Sequence, residues 1–229
     1  VLSGELEHID SYNNRGVVSA GGVQWMNAGS GIVHDEYLSS SFLANGGIFH
    51  SLQFWINLPA ANKKELPAYV FVASEELPEI PLPNEGGAIK ILLGKCGDNT
   101  SPIRTFSNQF IYHIKLNPKS TFNYSTKAEI EYAVFVPAKS VMVNGESVSN
   151  SLLVVLSKDD HAIDIYNPGI EEADVFVFGG EEYTEAHVAE GPFVMNTREE
   201  IAHAYADFFA GKYGEIAIQC EVAKKNNFN

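Results

Sequence analysis

His34 and Glu36 close the stretch GGVQWMNAGSGIVHDE, which runs from Gly21 to Glu36. Residues two apart on a β-strand share a face and sit about 6.6 Å from each other. An imidazole and a carboxylate placed that way suit a divalent transition ion such as iron, manganese or nickel. Gly29 and Gly31, just upstream, let the backbone turn or approach a neighbour closely. The same spacing also occurs on solvated strand faces, and two donors alone do not hold an ion. The chain has no His-x-His to add to them, and His8, His50, His113, His161, His187 and His203 are isolated along the sequence.

Other residues qualify as neighbours of such a site. Trp25 and Met26 precede the pair. His50 shares one face of an expected strand, His50 to Leu58, with Leu52, Phe54 and Ile56. A polar group on an apolar face needs a partner, so His50 is either a satisfied core histidine or part of a site wall. Trp25, Met26, His50 and Phe54 are the candidate pocket residues, with core packing as the alternative for the aromatics. His161 follows Asp159 and Asp160 in what reads as a solvated turn. Cys96, in Gly94-Lys95-Cys96-Gly97, has no adjacent base and reads as an inert thiol. Cys220 lies far from it, and a reduced, cytoplasmic protein is the simplest expectation.

The elements that must position these side chains are mostly strands. Turn chemistry at Asn13–Gly16 and Gly21-Gly22 separates short apolar-alternating segments. Further strands are expected at Tyr69–Ala73, Ile89–Leu93, Phe110–Leu116, Ala128–Val136, Leu152–Leu156, Ala162–Tyr166 and Val175–Phe178. A proline-bearing loop, Leu77 to Gly87, crosses between two units. Val141–Glu146 reads as a tight hairpin, because Asn144-Gly145 accepts the positive φ of a type I′ turn. One helix is expected, 197–211. Thr197 and Glu200 form a capping box, Ile201, Ala204, Tyr205, Phe208 and Phe209 make its apolar face, and Gly211 ends it. Many short strands with one late helix imply an all-β fold of two sandwiches or barrels.

Charge narrows the function. The 229 residues carry 29 acids against 15 bases, a net −14. Direct nucleic-acid binding is disfavoured, because a phosphate backbone rewards a basic face. No apolar run approaches the ~20 residues of a membrane helix. The chain opens in mid-pattern, with Leu2, Leu6 and Ile9 already reading as core positions around a break at Gly4. Native termini are usually frayed, so an upstream segment is expected to be missing.

Three blocks carry a family resemblance: Gly21–Glu36, FHSLQFWINLP at Phe49–Pro59, and EGPFVMNTREEI at Glu190–Ile201. Together they resemble the pirin family over nearly the whole chain. Between Pro78 and about Asn150 only the strand pattern matches. The resemblance implies a bicupin, two jelly-roll-like β barrels with a C-terminal helix. The N-terminal cupin would span 1–70 and the C-terminal cupin 71–229, the latter without metal. It implies one divalent metal ion, Fe(II) above all, held by a His-x-His pair and a His-x-Glu pair. The second pair maps onto His34 and Glu36. The first lies upstream of the segment that begins at Val1, so this chain shows half a site, and the ion's absence from it is one expected outcome. The implied activity is that of a quercetin 2,3-dioxygenase, with a flavonol and O2 as substrates and Glu36 as ligand and base. The family also implies an alternative, a regulator that binds a transcription factor or metabolic enzyme through a metal-switched surface.

Overall fold

The computed structural model describes residues 1–216. Cys220 lies outside them. The N-terminal part contains β1 (Glu5–Asp10), β2 (Arg15–Ser19), β3 (Val23–Asn27), β4 (His34–Leu38), α1 (Ser40–Asn45) and β5 (Ala68–Val72). β1 is the centre of an antiparallel three-stranded sheet, flanked by β2 and β4, while β3 pairs with β5. The break expected at Gly4 is real: its φ is +83°, a conformation that glycine adopts at little cost.

The second unit follows. Its strands are β6 (Glu79–Pro81), β7 (Gly87–Leu93), β8 (Lys95–Cys96), β9 (Asn99–Thr100), β10 (Gln109–Leu116), β11 (Thr121–Ser125) and β12 (Ile130–Val136). β13 (Val141–Val143), β14 (Glu146–Val148), β15 (Leu152–Val155), β16 (Ala162–Tyr166) and β17 (Ala173–Glu181) complete it. A six-stranded sheet in the order β15-β12-β17-β10-β7-β6 faces a four-stranded sheet, β11-β16-β13-β14. The Asn144-Gly145 hairpin has φ +48° and +82°, as a type I′ turn requires.

Alternation along the strands sorts side chains into two cores. Tyr112, Ile114 and Leu116 of β10, with Val175 and Val177 of β17, point between the two sheets. Ile111 and Phe176, on the opposite face of the same strands, join Val72, Leu77, Leu93 and Ile103 in a second cluster. Val23, Trp25, Leu52, Phe54 and Ile56 pack against that second cluster. The six-stranded sheet is therefore apolar on both faces, and its outer face holds the N-terminal unit in place. Each fully buried Val, Leu or Ile contributes about 1.5–3 kcal/mol.

Three expectations need correction. The run from His50 to Leu58 forms no ladder with the described residues beyond an isolated bridge from His50 to Ser3. Its alternation reflects Leu52, Phe54 and Ile56 packing on the second core rather than strand pairing. The Leu77–Gly87 loop contains a short strand, β6, which edges the six-stranded sheet. The late helix, α2 (Arg198–Phe209), has the Thr197–Glu200 capping box. It follows the short pair β18 (Val188–Glu190) and β19 (Phe193–Met195). Its docking face, however, is Ile201 and Ala204, while Phe208 is 44% exposed. Tyr205 contacts Phe193 edge-on at 4.9 Å. Phe208 sits one turn beyond that contact and meets Phe209 edge-on at 5.5 Å, a ring that is itself exposed. α1 had no sequence signal of length or amphipathicity. It has no buried residue and depends on its cap, Ser39, which Glu5 of β1 holds at 2.7 Å. No described helix is long and apolar enough to cross a membrane.

Candidate metal centre

The register of β1 against β4 builds the site. His8 lies opposite Glu36, and Asp10 lies opposite His34. Residues two apart share a face on each strand, so all four side chains converge. His8, His34 and Glu36 place one donor atom each within 4.8 Å of one another. Glu36 Oε1 is 3.9 Å from His8 Nδ1 and 3.7 Å from His34 Nδ1. His8 is fully buried and Glu36 is 24% exposed, while the His34 side chain is 33% exposed. The group thus has a closed floor and an open side.

Each donor is held by neighbours. Gln24 of β3 donates to Glu36 Oε1, and Gln53 donates to Oε2 at 3.4 Å. The Glu36 pKa is lowered, first by the adjacent His8 imidazole, against the opposing effect of burial, and then by the nearby His34. Burial disfavours a charged His8, but Glu36 and Asp10 together outweigh it and hold the imidazole above its ordinary value. The Tyr69 ring stacks on His8 at 4.2 Å and 9°. Burial, reinforced by the charges of Glu36 and Asp10, pushes that phenol up to about 12, so it stays protonated.

The glycines aim the strand. At Gly29, with φ +47°, a Cβ would lie 2.1 Å from the Glu65 carbonyl oxygen, which accepts from Ser30 N at 2.8 Å. At Gly31, with φ +121°, a Cβ would lie 2.2 Å from the Tyr213 ring. Ser11 Oγ then ties the site to Tyr213 by donating to its carbonyl at 2.6 Å and accepting from Val33 N at 3.1 Å.

His8 is not isolated in space, and it is the candidate donor that sequence reasoning missed. A signal was present: His8-x-Asp10 repeats the spacing of His34-x-Glu36 three strands earlier in the chain. Only strand pairing joins the two. The other candidates are placed differently. Trp25 and Phe54 pack against the second core, and Phe54 meets Phe178 edge-on at 5.1 Å. Met26 lies opposite Tyr69 in the β3–β5 pair. His50 makes its bonds through the backbone, its carbonyl accepting from Leu2 N at 2.8 Å, and is not in the donor group. The Cys96 thiol is pushed up by burial.

Two family models match the chain, pirin over residues 1–56 and the pirin C-terminal cupin domain over residues 111–214. A Pseudomonas aeruginosa protein, provisionally named a quercetin 2,3-dioxygenase, is 32% identical over 213 residues, covering 93% of this chain and 74% of that protein. The chain belongs to the pirin family. Human pirin is 28% identical over 215 residues, 92% of this chain and 71% of that one. A crystal structure of quercetin 2,3-dioxygenase from Acinetobacter baumannii superposes with TM-score 0.88 at 30% identity, over 93% of this chain and 74% of that one. The pirin fold here is accordingly an all-β bicupin with a C-terminal helix, as the resemblance implied.

Proposed function

We propose that this pirin is a metal-dependent dioxygenase of the quercetin 2,3-dioxygenase type, with a metal centre on the β1–β4 face. The observation that carries the reading is the convergence of His8, His34 and Glu36 with one buried atom, His8 Nδ1, that has no hydrogen-bond partner among the described residues. A buried polar atom without a partner costs about 1–3 kcal/mol, which a bound cation removes. Two imidazole nitrogens and one carboxylate are the donor set of non-haem iron oxygenases, and Fe(II) is the proposed ion. His34 and Glu36 are the ligand positions expected from the sequence, and His8 is the donor that the fold adds.

When bound, the metal would orient a chelating flavonol and O2. The protein's own part follows from the contacts above. Gln24 and Gln53 fix both carboxylate oxygens of Glu36. Because its pKa is lowered, Glu36 is anionic at neutral pH, which suits a ligand better than a proton acceptor. Tyr69 covers one face of His8 with a neutral ring and keeps water from it. The open side at His34 is the route of approach for a substrate.

Elemental analysis of the purified chain, followed by oxygen uptake with quercetin after iron loading, tests this. About one equivalent of metal per chain with quercetin-dependent oxygen uptake supports it. Absence of metal binding defeats the proposed centre. Stoichiometric metal without turnover on a flavonol panel, together with a co-purifying protein, would favour the regulatory reading instead.

A further inference from the structure

Asp10 has a role at the centre that is separate from ligation. Its side chain is fully buried beside His8. Oδ1 accepts from Tyr12 N at 2.9 Å and from Asn14 N at 3.0 Å. Oδ2 accepts from Asn14 Nδ2 at 2.8 Å and meets His8 Nε2 at 3.2 Å. Every contact to this carboxylate is therefore with a nitrogen, and three of those nitrogens are donors whatever the protonation state of His8. An acceptor loaded in this way requires His8 to carry its proton on Nε2. In neutral His8 the other nitrogen, Nδ1, is then a bare lone pair, and it is the atom left unpartnered inside the donor group.

We infer that Asp10 is a positioning residue for a cation centre. It fixes His8 as the Nε2–H tautomer, locked against Tyr69, so that Nδ1 faces His34 and Glu36 as a ligand. The inference rests on the proposed metal centre for its consequence, but not for the tautomer itself. A carboxylate that accepts the far N–H of a metal-bound imidazole orients the ring and raises its basicity. The turn Ser11–Asn14 thereby acquires a second use. The bonds that Asp10 takes from Tyr12 and Asn14 hold it still, so that its remaining lone pair meets His8 at one angle. The two halves of the site sit on adjacent strands, and β1 brings both a ligand and its orienter.

The test uses the whole chain, with Co(II) as the probe. In metal-free protein at mildly alkaline pH, the imidazole nitrogen shifts of His8 should report the Nε2–H tautomer. Asp10→Asn keeps an acceptor for the two backbone amides but can turn its amide N–H towards Nε2. The His8 signals should then swing to the Nδ1–H form, and Co(II) affinity should fall about 10- to 100-fold with an altered visible spectrum. Asn14→Ala removes one of the bonds to Asp10 but leaves the His8 contact. It should lower thermal stability while leaving the tautomer and the Co(II) affinity near the parent's. An Nδ1–H tautomer in the parent overturns the inference, as does an Asp10→Asn variant with parental His8 shifts. Parental shifts as expected, with no Co(II) bound by any variant, keep Asp10 as the orienter of His8 and remove the metal centre. Loss of Co(II) binding in His8→Ala but not in Asp10→Asn keeps the centre and removes Asp10.

Discussion

Replacing Gly31 by alanine probes how the second unit holds the site. Gly31 has φ +121°, and a Cβ there would lie 2.2 Å from both Cδ1 and Cε1 of Tyr213. Two costs add. A side chain in this backbone region costs about 1–2 kcal/mol. The Tyr213 ring, only 9% exposed, must also move. A tyrosine buries about 150–250 Å², worth about 4–6 kcal/mol at ~25 cal/mol/Å². Losing half of that adds about 2–3 kcal/mol, for a total of about 3–5 kcal/mol. For a chain of this length the melting temperature should fall by roughly 10 °C. Urea unfolding of Gly31→Ala, Tyr213→Ala and the double variant separates the terms. Without the ring, only the backbone cost remains, so the double variant should be more stable than additivity predicts by about 2–3 kcal/mol. Additivity within about 0.5 kcal/mol would mean that the ring does not press on the strand leading to His34, and the packing argument would fail.

Other outcomes follow from the same geometry. Glu36→Gln should fold normally, since glutamine still accepts from Gln24, yet bind divalent cations at least about tenfold more weakly, as read by a chelator competition; unchanged affinity would remove Glu36 from the centre. Asp174 accepts from His113 at 2.7 Å, and this bond, opposed by burial and helped by the charges of His113, Lys115 and Lys139, lowers its pKa. The stabilisation is complete above the ordinary aspartate pKa of about 4 and is lost as pH falls through the depressed value. Asp174→Asn should therefore be destabilised at neutral pH and converge with the parent in acid, and a constant difference in urea midpoint would refute this. In α2, Ile201→Ala should cost about 2–4 kcal/mol and Phe208→Ala less than about 1 kcal/mol, because only the first is buried; equal losses in thermal unfolding would contradict the docking face. Thr197→Ala should cost about 1 kcal/mol through the lost cap, measured the same way.

What was legible in the sequence was local. The Asn144-Gly145 turn, the Thr197–Glu200 capping box and the strand alternation of β10, β12 and β17 each depend on residues a few positions apart. Their backbone preferences act before any tertiary contact forms. The shared face of His34 and Glu36 belongs to the same class. The run from His50 to Leu58 misled because alternation reports which side is buried, not whether a neighbouring strand exists. Phe208 misled for a related reason. A helical stripe of apolar residues says which face is apolar, while the extent of the core beneath it sets where burial stops.

The sequence by itself therefore determined the all-β class, the strand and helix types, the capping and turn chemistry, and a nitrogen–oxygen pair suited to a metal. Only the tertiary structure brought His8 and Asp10 to that pair, through the pairing of β1 with β4 across more than twenty intervening residues. Strand register is a non-local choice, set by which buried faces can be satisfied together. A histidine that looks solitary along the chain becomes a buried donor because the sheet places Glu36 opposite it, Tyr69 over it and Asp10 behind it.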